Sequence, residues 1–222
     1  MKASDLRETA FMGRIAAGVT HELKNVLAII RESAGLMQDL LTLSSDAPLP
    51  LKEKFSRVLS NIDGQVVRGV DLASGLNTFA HLPDETRMQL DLNDVAEQVV
   101  FLSQRFARLR GISLDAVCQE RPISVFTDPL KIQMLLFECV DVLLTVLGKG
   151  AAITLRPFQR GESEAAVEIS SRRGNEVNDY QPLDMAAFSE WVELQEIARS
   201  LKGRIEALEE PVGFNITFDL VT

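Results

Sequence analysis

Two long helical patterns at the start of the chain, joined by a short break, constrain its fold more than any other feature. Between Arg14 and Leu43, apolar side chains recur in steps of mostly three or four, the spacing of one helix face. They are Ile15, Val19, Leu23, Val26, Ile30, Met37 and Leu41. The segment 44–50, Ser-Ser-Asp-Ala-Pro-Leu-Pro, breaks this helix. A second stripe follows, formed by Leu51, Phe55, Val58, Ile62, Val66, Leu72, Leu76 and Phe79. The short connection predicts that the two helices are antiparallel neighbours.

A hairpin of two such helices cannot bury both apolar stripes by itself. Pairing with a second copy, as a four-helix bundle across a two-fold axis, is the simplest way to cover them. Packing of the hairpin against the remainder of the same chain is the alternative. We favour the homodimer.

The pattern becomes mixed α and β after residues 81–86, which have the character of a linker. Strands are predicted at 88–91, 112–117, 123–126, 153–157, 165–170, 204–208 and 214–221. Helices are predicted at 92–109, 129–147 and 188–201. Asp91 or Asn93 is expected to cap the first of these helices, Gly111 to follow its end, and Asp128-Pro129 to open the second. The sequence therefore predicts an α+β protein with a helical domain at 1–82 and an α/β domain at 83–222.

Charge and composition exclude several functions. The net charge is −9, and all of it falls in residues 82–222, because residues 1–81 hold equal numbers of acidic and basic side chains. An acidic second half argues against a nucleic-acid partner, since phosphate contacts need clustered cations. The two cysteines fit neither a disulfide framework nor a zinc site. These features favour a reduced, cytoplasmic setting.

No stretch of the sequence predicts a membrane segment. The longest nearly apolar run, Val142 to Leu147, is six residues, whereas a span needs about 20. The charged residues Lys2, Asp5 and Arg7 make the first residues unlike a secretory signal.

One motif in the first helix carries chemistry. The segment 13–25 reads Gly-Arg-Ile-Ala-Ala-Gly-Val-Thr-His-Glu-Leu-Lys-Asn, with the histidine at position 21. At about 100° per residue, His21 lies about 200° from Val19 and is expected to face water. The outer strip around it holds Arg14, Ala17, Gly18, Lys24, Asn25 and Ala28. An imidazole offers a ring nitrogen as nucleophile, and the small neighbours leave room for another protein to approach.

This segment closely resembles the H-box of two-component sensor histidine kinases, in which His-Glu is followed by Asn or Thr at the fourth position after the histidine. The resemblance is close over 11–43 and weaker over the remainder, where Asp128-Pro129, Leu130 and Gln133 carry it. It implies that His21 is a phosphoacceptor, that Glu22 acts as general base during phosphorylation, and that Asn25 orients water during dephosphorylation. Lys24 could steady a phosphoryl group. As helix residues, Glu22 and Lys24 are also ordinary solvated charges, and for Lys24 we favour that interpretation.

The sequence departs from the H-box pattern directly after the asparagine. Many members have proline directly after the asparagine, where this chain has Val26, so a straighter helix is expected. His81, the only other histidine, is expected to be structural.

The three boxes that bind ATP in the family are damaged. Phe137 and Asp141 stand where two asparagines are expected. No aspartate stands in Ser170-Ser171-Arg172-Arg173-Gly174-Asn175, which follows the strand of the second box. The glycine-rich loop falls on Phe188-Ser189-Glu190-Trp191, although a phosphate cradle needs glycine so that backbone N–H groups can approach.

The resemblance and these losses predict a histidine phosphotransferase with a degenerate ATPase-like α/β sandwich. It would pass phosphoryl groups between receiver-domain aspartates of response regulators through His21. The chain itself would bind no cofactor, and the receiver would supply Mg²⁺. A hybrid histidine kinase is a further candidate partner. The alternatives are a sensor kinase module with a divergent ATP site, and a non-catalytic dimeric scaffold or phosphatase that acts on response regulators.

Overall fold

A computed structural model describes residues 3–42, 50–161, 163–172 and 190–219 of the chain. Two compact units are present. Unit A comprises Met12–Ala80, and unit B combines Met1–Phe11 with His81–Thr222. The division at 80/81 lies close to the predicted domain boundary, whereas the membership of the first eleven residues in unit B was not predicted.

Unit A is a pair of long helices, and the first residues of helix α1 belong to unit B. Helix α1 spans Ala3–Thr42 and helix α2 spans Pro50–Ala80. Contacts between them pair Glu22 with Arg68 and Ser33 with Asn61, so positions that rise along α1 fall along α2. The helices are therefore antiparallel, as predicted. The predicted break at 44–50 lies mostly outside the described residues.

Unit B contains three further helices and seven strands, together with a short 3₁₀ turn at Leu82–Asp84, among the residues that the structure describes. In chain order they are β1 (Met88–Asp91), α3 (Leu92–Arg110), β2 (Ser113–Ala116), β3 (Ser124–Thr127), α4 (Pro129–Val146), β4 (Ala152–Arg160), β5 (Glu164–Arg172), α5 (Glu190–Ser200), β6 (Gly203–Leu208) and β7 (Gly213–Asp219). Strands β2-β4-β5-β7-β6 form one five-stranded sheet in that order, and β1 pairs with β3 in a separate two-stranded sheet. The α+β class is thus observed, with N-terminal helices and a C-terminal sheet unit.

Local chemistry sets the helix ends of unit B. The Asp91 carboxylate accepts a hydrogen bond from the backbone N–H of Asn93 and so caps α3. Gly111 follows the helix in the left-handed conformation, with φ of 66°, which glycine adopts without steric cost. Asp128 accepts from the N–H groups of Leu130 and Lys131, and Pro129 occupies the first turn of α4. These helix ends were all predicted from the sequence.

The core of unit B lies where α3, α4 and α5 cover one face of the sheet. Helix α4 is buried along most of its length. From the sheet, Leu155, Val167 and Ile216 are fully buried. Phe137 on α4 is 2% exposed, and its ring centroid lies 5.3 Å from that of Phe11 and 5.6 Å from that of Phe106. Residues at the very start of the chain therefore help to close this core.

Substitution of Phe137 with alanine tests whether this aromatic cluster stabilises unit B. Because the side chain is buried between two other rings, its loss should lower the free energy of unfolding by about 3–5 kcal/mol. Phe126→Ala removes the same side chain at a position that is 54% exposed, so it should cost no more than about 1 kcal/mol. Chemical denaturation of the three proteins measures both changes. Equal losses in the two variants would contradict the assigned core.

Candidate phosphoacceptor site

The predicted acceptor histidine lies in the middle of α1, on the outside of the helical pair. His21 is exposed, whereas Ile15, Val19 and Val26 are 1%, 5% and 3% exposed. The helical repeat separates these two faces, as the apolar spacing predicted.

Asn25 stands one helical turn beyond His21 and on the same face. Its side-chain Nδ2 lies 3.4 Å from His21 Nδ1. Which of the two side chains donates depends on the imidazole tautomer and on the orientation of the amide. When Nδ1–H donates to the oxygen of the Asn25 amide, the opposite ring nitrogen, Nε2, carries the lone pair and can attack a phosphoryl group.

Glu22 is placed differently from a solvated helix charge. Its side chain is 11% exposed, and its Oε2 accepts a hydrogen bond from Nη2 of Arg68 on α2 at 3.0 Å. The carboxylate is thus one half of an interhelical ion pair. Arg68 was not predicted as part of the site, since it lies 46 residues away along the chain. The signal that could have found it is the register of the antiparallel hairpin.

The remaining residues predicted on the outer strip differ in exposure. Ala17 and Lys24 are exposed, and Arg14 and Ala28 are half-buried. Gly18 is buried, which corrects the prediction that it lies on the open strip. The reason is that Gly18 is adjacent to Val19 and lies within one turn of Ile15, so it falls at the border of the packed face.

The second histidine of the chain belongs to unit B and has a local structural partner. His81 Nδ1 lies 2.8 Å from Asp84 Oδ2, and both side chains are about two-thirds exposed. This pair joins the two ends of the 3₁₀ turn that follows α2. The contact agrees with the structural role expected for His81.

One residue assigned to the first predicted ATP box is packed in the core of unit B. Phe137, which stands where a metal-binding asparagine was expected, lies in the aromatic cluster with Phe11 and Phe106. One and a half turns earlier, Lys131 pairs with Asp128 at 2.9 Å and with Glu8 at 3.8 Å. The hydrogen bond to Asp128 raises the pKa of Lys131, and the charges of Asp128 and Glu8 act in the same direction. This cation is thus already neutralised by carboxylates of unit B.

The other two boxes lie partly outside the described residues. Strand β5 ends at Arg172, and Ser171 Oγ donates to the carbonyl oxygen of Val212 at 2.7 Å. Arg173, Gly174, Asn175, Phe188 and Ser189 are not described, and Glu190 is described only as the first residue of α5. Trp191 stacks on Phe214, with ring centroids 6.3 Å apart.

Comparisons with known proteins find similarity to histidine kinases. No protein-family model matches the chain. The sensor histidine kinase ZraS of Klebsiella oxytoca is 24% identical over 179 residues, which are 80% of this chain. The match covers 37% of that kinase, so the chain spans little more than a third of the length of its relative. The chain is therefore similar to a sensor histidine kinase over most of its own length.

Histidine kinases are among the solved structures to which the chain is similar. The catalytic domain of histidine kinase ThkA is 16% identical with a TM-score of 0.49, over 61% of this chain and 98% of that chain. Histidine kinase AdeS of Acinetobacter baumannii is 15% identical with a TM-score of 0.48, over 91% of this chain and 98% of that chain. A structure of ThkA in complex with response regulator protein TrrA is 17% identical with a TM-score of 0.49, over 96% of this chain and 63% of that chain.

Titration of the protein with Mg-ATP tests the prediction that the nucleotide site is lost. Isothermal calorimetry should detect no binding, because an aromatic ring fills the position of the first box. An ATP-binding kinase domain run in parallel controls for the activity of the nucleotide. A dissociation constant below about 0.1 mM, equivalent to about 5.5 kcal/mol of binding free energy, would instead favour a kinase with a divergent site.

Proposed function

We propose that the protein is a histidine phosphotransferase that exchanges phosphoryl groups with receiver-domain aspartates of response regulators through His21. The observation that carries this proposal is the combination of an exposed His21, held at Nδ1 by Asn25, with the aromatic closure of the first ATP box around Phe137. An acceptor without a nucleotide donor needs another protein as its donor. The sequence similarity to a sensor histidine kinase supports the two-component setting.

The transfer needs little covalent chemistry from the chain itself. The lone pair of His21 Nε2 would attack the phosphorus of an aspartyl phosphate in line with the leaving oxygen. The P–N bond forms as the P–O bond to the aspartate breaks, and the electron pair leaves with the aspartate carboxylate. The proton on Nδ1 either stays on the phosphoimidazolium or passes to water. Mg²⁺ on the receiver would neutralise charge, so the contribution of this chain is mainly positioning.

The surface around His21 fits a protein partner. Ala17 is exposed and small, Ala28 is half-buried, and Lys24 adds an exposed cation on the same side of the helix. Small side chains allow the close approach of a receiver that carries its phosphate within attacking distance. A cation near the transferred group favours a phosphoryl that carries about two negative charges.

Substitution of His21 with glutamine tests the carrier role. Receivers from the same genome, loaded with radiolabelled acetyl phosphate and freed of the excess reagent, should pass label to the parent protein. The His21→Gln protein should take up no label, while His81→Gln should behave like the parent. Both variants should keep the parental circular dichroism spectrum.

The same variants separate the carrier from its alternatives. A scaffold or phosphatase would keep its effect on the receiver in His21→Gln, because neither role requires a phosphorylated imidazole. If His21→Gln accelerated the loss of phosphate from the receiver as well as the parent does, a phosphatase site centred on Asn25 would replace the proposed function.

The homodimer is part of the same proposal and is supported by apolar side chains that the helical pair leaves open. Leu27 on α1 is 63% exposed, and Leu59, Val66 and Val70 on α2 are 53%, 47% and 59% exposed. The α1 residue belongs to the series 23, 27, 30, 34 and 37, whose alternating steps of four and three are the repeat of a coiled-coil seam. Exposed apolar surface on a helical pair often marks a protein–protein interface. A second copy would cover it and complete a four-helix bundle.

Charged substitutions on this strip test the dimer. Leu27→Glu together with Val70→Glu should convert the protein from twice the mass of one chain to a single chain at micromolar concentration, because burial of unpaired carboxylates is costly. Leu109→Glu alters a side chain that is 71% exposed on α3 of unit B, and it should leave the mass unchanged. Sedimentation velocity measures all three proteins. A parent that sediments as a single chain would contradict the dimer.

A further inference from the structure

The ion pair between Glu22 and Arg68 lies directly beside the acceptor and joins the two helices of unit A. Glu22 follows His21 in the sequence, and its Oε2 is 3.0 Å from Nη2 of Arg68. The carboxylate side chain is 11% exposed and the arginine side chain is 41% exposed. The acid is therefore the buried partner, and the guanidinium covers it from the solvent side.

Close helix packing holds this pair in place. Gly69 follows Arg68, and a Cβ atom at that position would lie 3.3 Å from Cγ1 of Val26. Val26 is one helical turn beyond Glu22, so α1 and α2 pack closely beside the ion pair. A larger residue at position 69 would push against Val26. The register that brings Arg68 to Glu22 is thus set by packing as well as by charge.

Electrostatics gives the pair a role in phosphorylation. A phosphoryl group on His21 carries about two negative charges. An unpaired carboxylate on the adjacent residue would repel that group, and the low local dielectric of a largely buried acid would strengthen the repulsion. Pairing with Arg68 cancels the charge of Glu22 and keeps the carboxylate in the helix interface.

We propose that Arg68 is a positioning residue of the phosphoacceptor site, which neutralises and restrains Glu22 so that His21 can accept and hold a phosphoryl group. This inference rests on the proposed function, and it assigns a role to a residue on the helix opposite His21. Arg68 acts through Glu22 and does not itself need to touch the phosphoryl group.

A double-mutant cycle tests this role. Arg68→Ala should slow the formation of phosphohistidine about tenfold, equivalent to about 1.4 kcal/mol in the barrier. Attack by a neutral imidazole, whose Nε2 already carries a lone pair, needs no general base. Glu22→Gln combined with Arg68→Ala should therefore recover most of the rate, because no carboxylate remains to be neutralised. Arg68→Lys should fall between the parent and Arg68→Ala, since lysine supplies the charge without the planar fork. Arg57→Ala, which removes an exposed arginine from the same helix, should react like the parent.

Measurements with two phosphoryl donors test the role of Arg68 separately from the proposed function. Phosphoramidate, a small-molecule donor, reports on His21 without any receiver, and labelled receivers report on protein-to-protein transfer. If phosphoramidate modifies His21 and shows the ranking above while no receiver donates, the role of Arg68 stands and the phosphotransferase proposal fails. If His21 accepts phosphate from neither donor, both proposals are wrong.

Thermal unfolding separates positioning from a purely structural role. Removal of one partner from a largely buried ion pair destabilises the fold, so every rate is measured well below the lowest melting temperature of the set. A structural pair would change the melting temperature and leave the rates of the folded variants equal. Equal rates for the parent and Arg68→Ala, or equal rates for Arg68→Ala and the double variant, would overturn the proposal.

Discussion

The packing of α1 against α2 at the level of Glu22 and Val26 is the constraint on which the acceptor site depends. Gly69 leaves room for Val26, whose Cγ1 would lie 3.3 Å from a Cβ atom at position 69, and the burial of Val26 sets the rotation of α1 about its axis. With that rotation fixed, Glu22 must face Arg68 and His21 must face the solvent. The exposure of His21 is therefore a consequence of helix packing one turn away. A shift of the register by one residue would turn His21 toward the packed face.

The two units differ in the side chains that surround the positions expected to be functional in a kinase-like chain. In unit A, polar groups surround the acceptor, and the small residue Ala17 keeps it open. In unit B, Phe137 places a ring where a polar side chain was expected, and two further rings close over it. Burial of aromatic surface stabilises unit B, and the proposed function predicts that no triphosphate binds beside Phe137. The net negative charge of the second half of the chain acts in the same direction.

The sequence alone predicted the elements whose ends carry local signals and the side of α1 that His21 occupies. The cap at Asp91, the left-handed Gly111 and the Asp128-Pro129 start of α4 are determined within a few residues, so they can be predicted from a short window of sequence. Contacts between distant positions could not be predicted in this way. The partnership of Arg68 with Glu22 depends on the hairpin register, and the packing of Phe11 on Phe137 joins residues more than 100 positions apart. The burial of Gly18 was not predicted, because apolar periodicity does not show whether a residue at the border of a helix face is buried or exposed.

The most direct test of the central claim is the location of the phosphate after incubation with a phosphorylated receiver. The reacted protein is digested at alkaline pH, where phosphohistidine survives, and the peptides are sequenced by electron-transfer mass spectrometry. A phosphotransferase of the proposed kind should carry the phosphate on His21 and leave His81 unmodified. Phosphate on His81 or on another side chain, or none at all after every receiver of the same genome has been tried, would contradict the account.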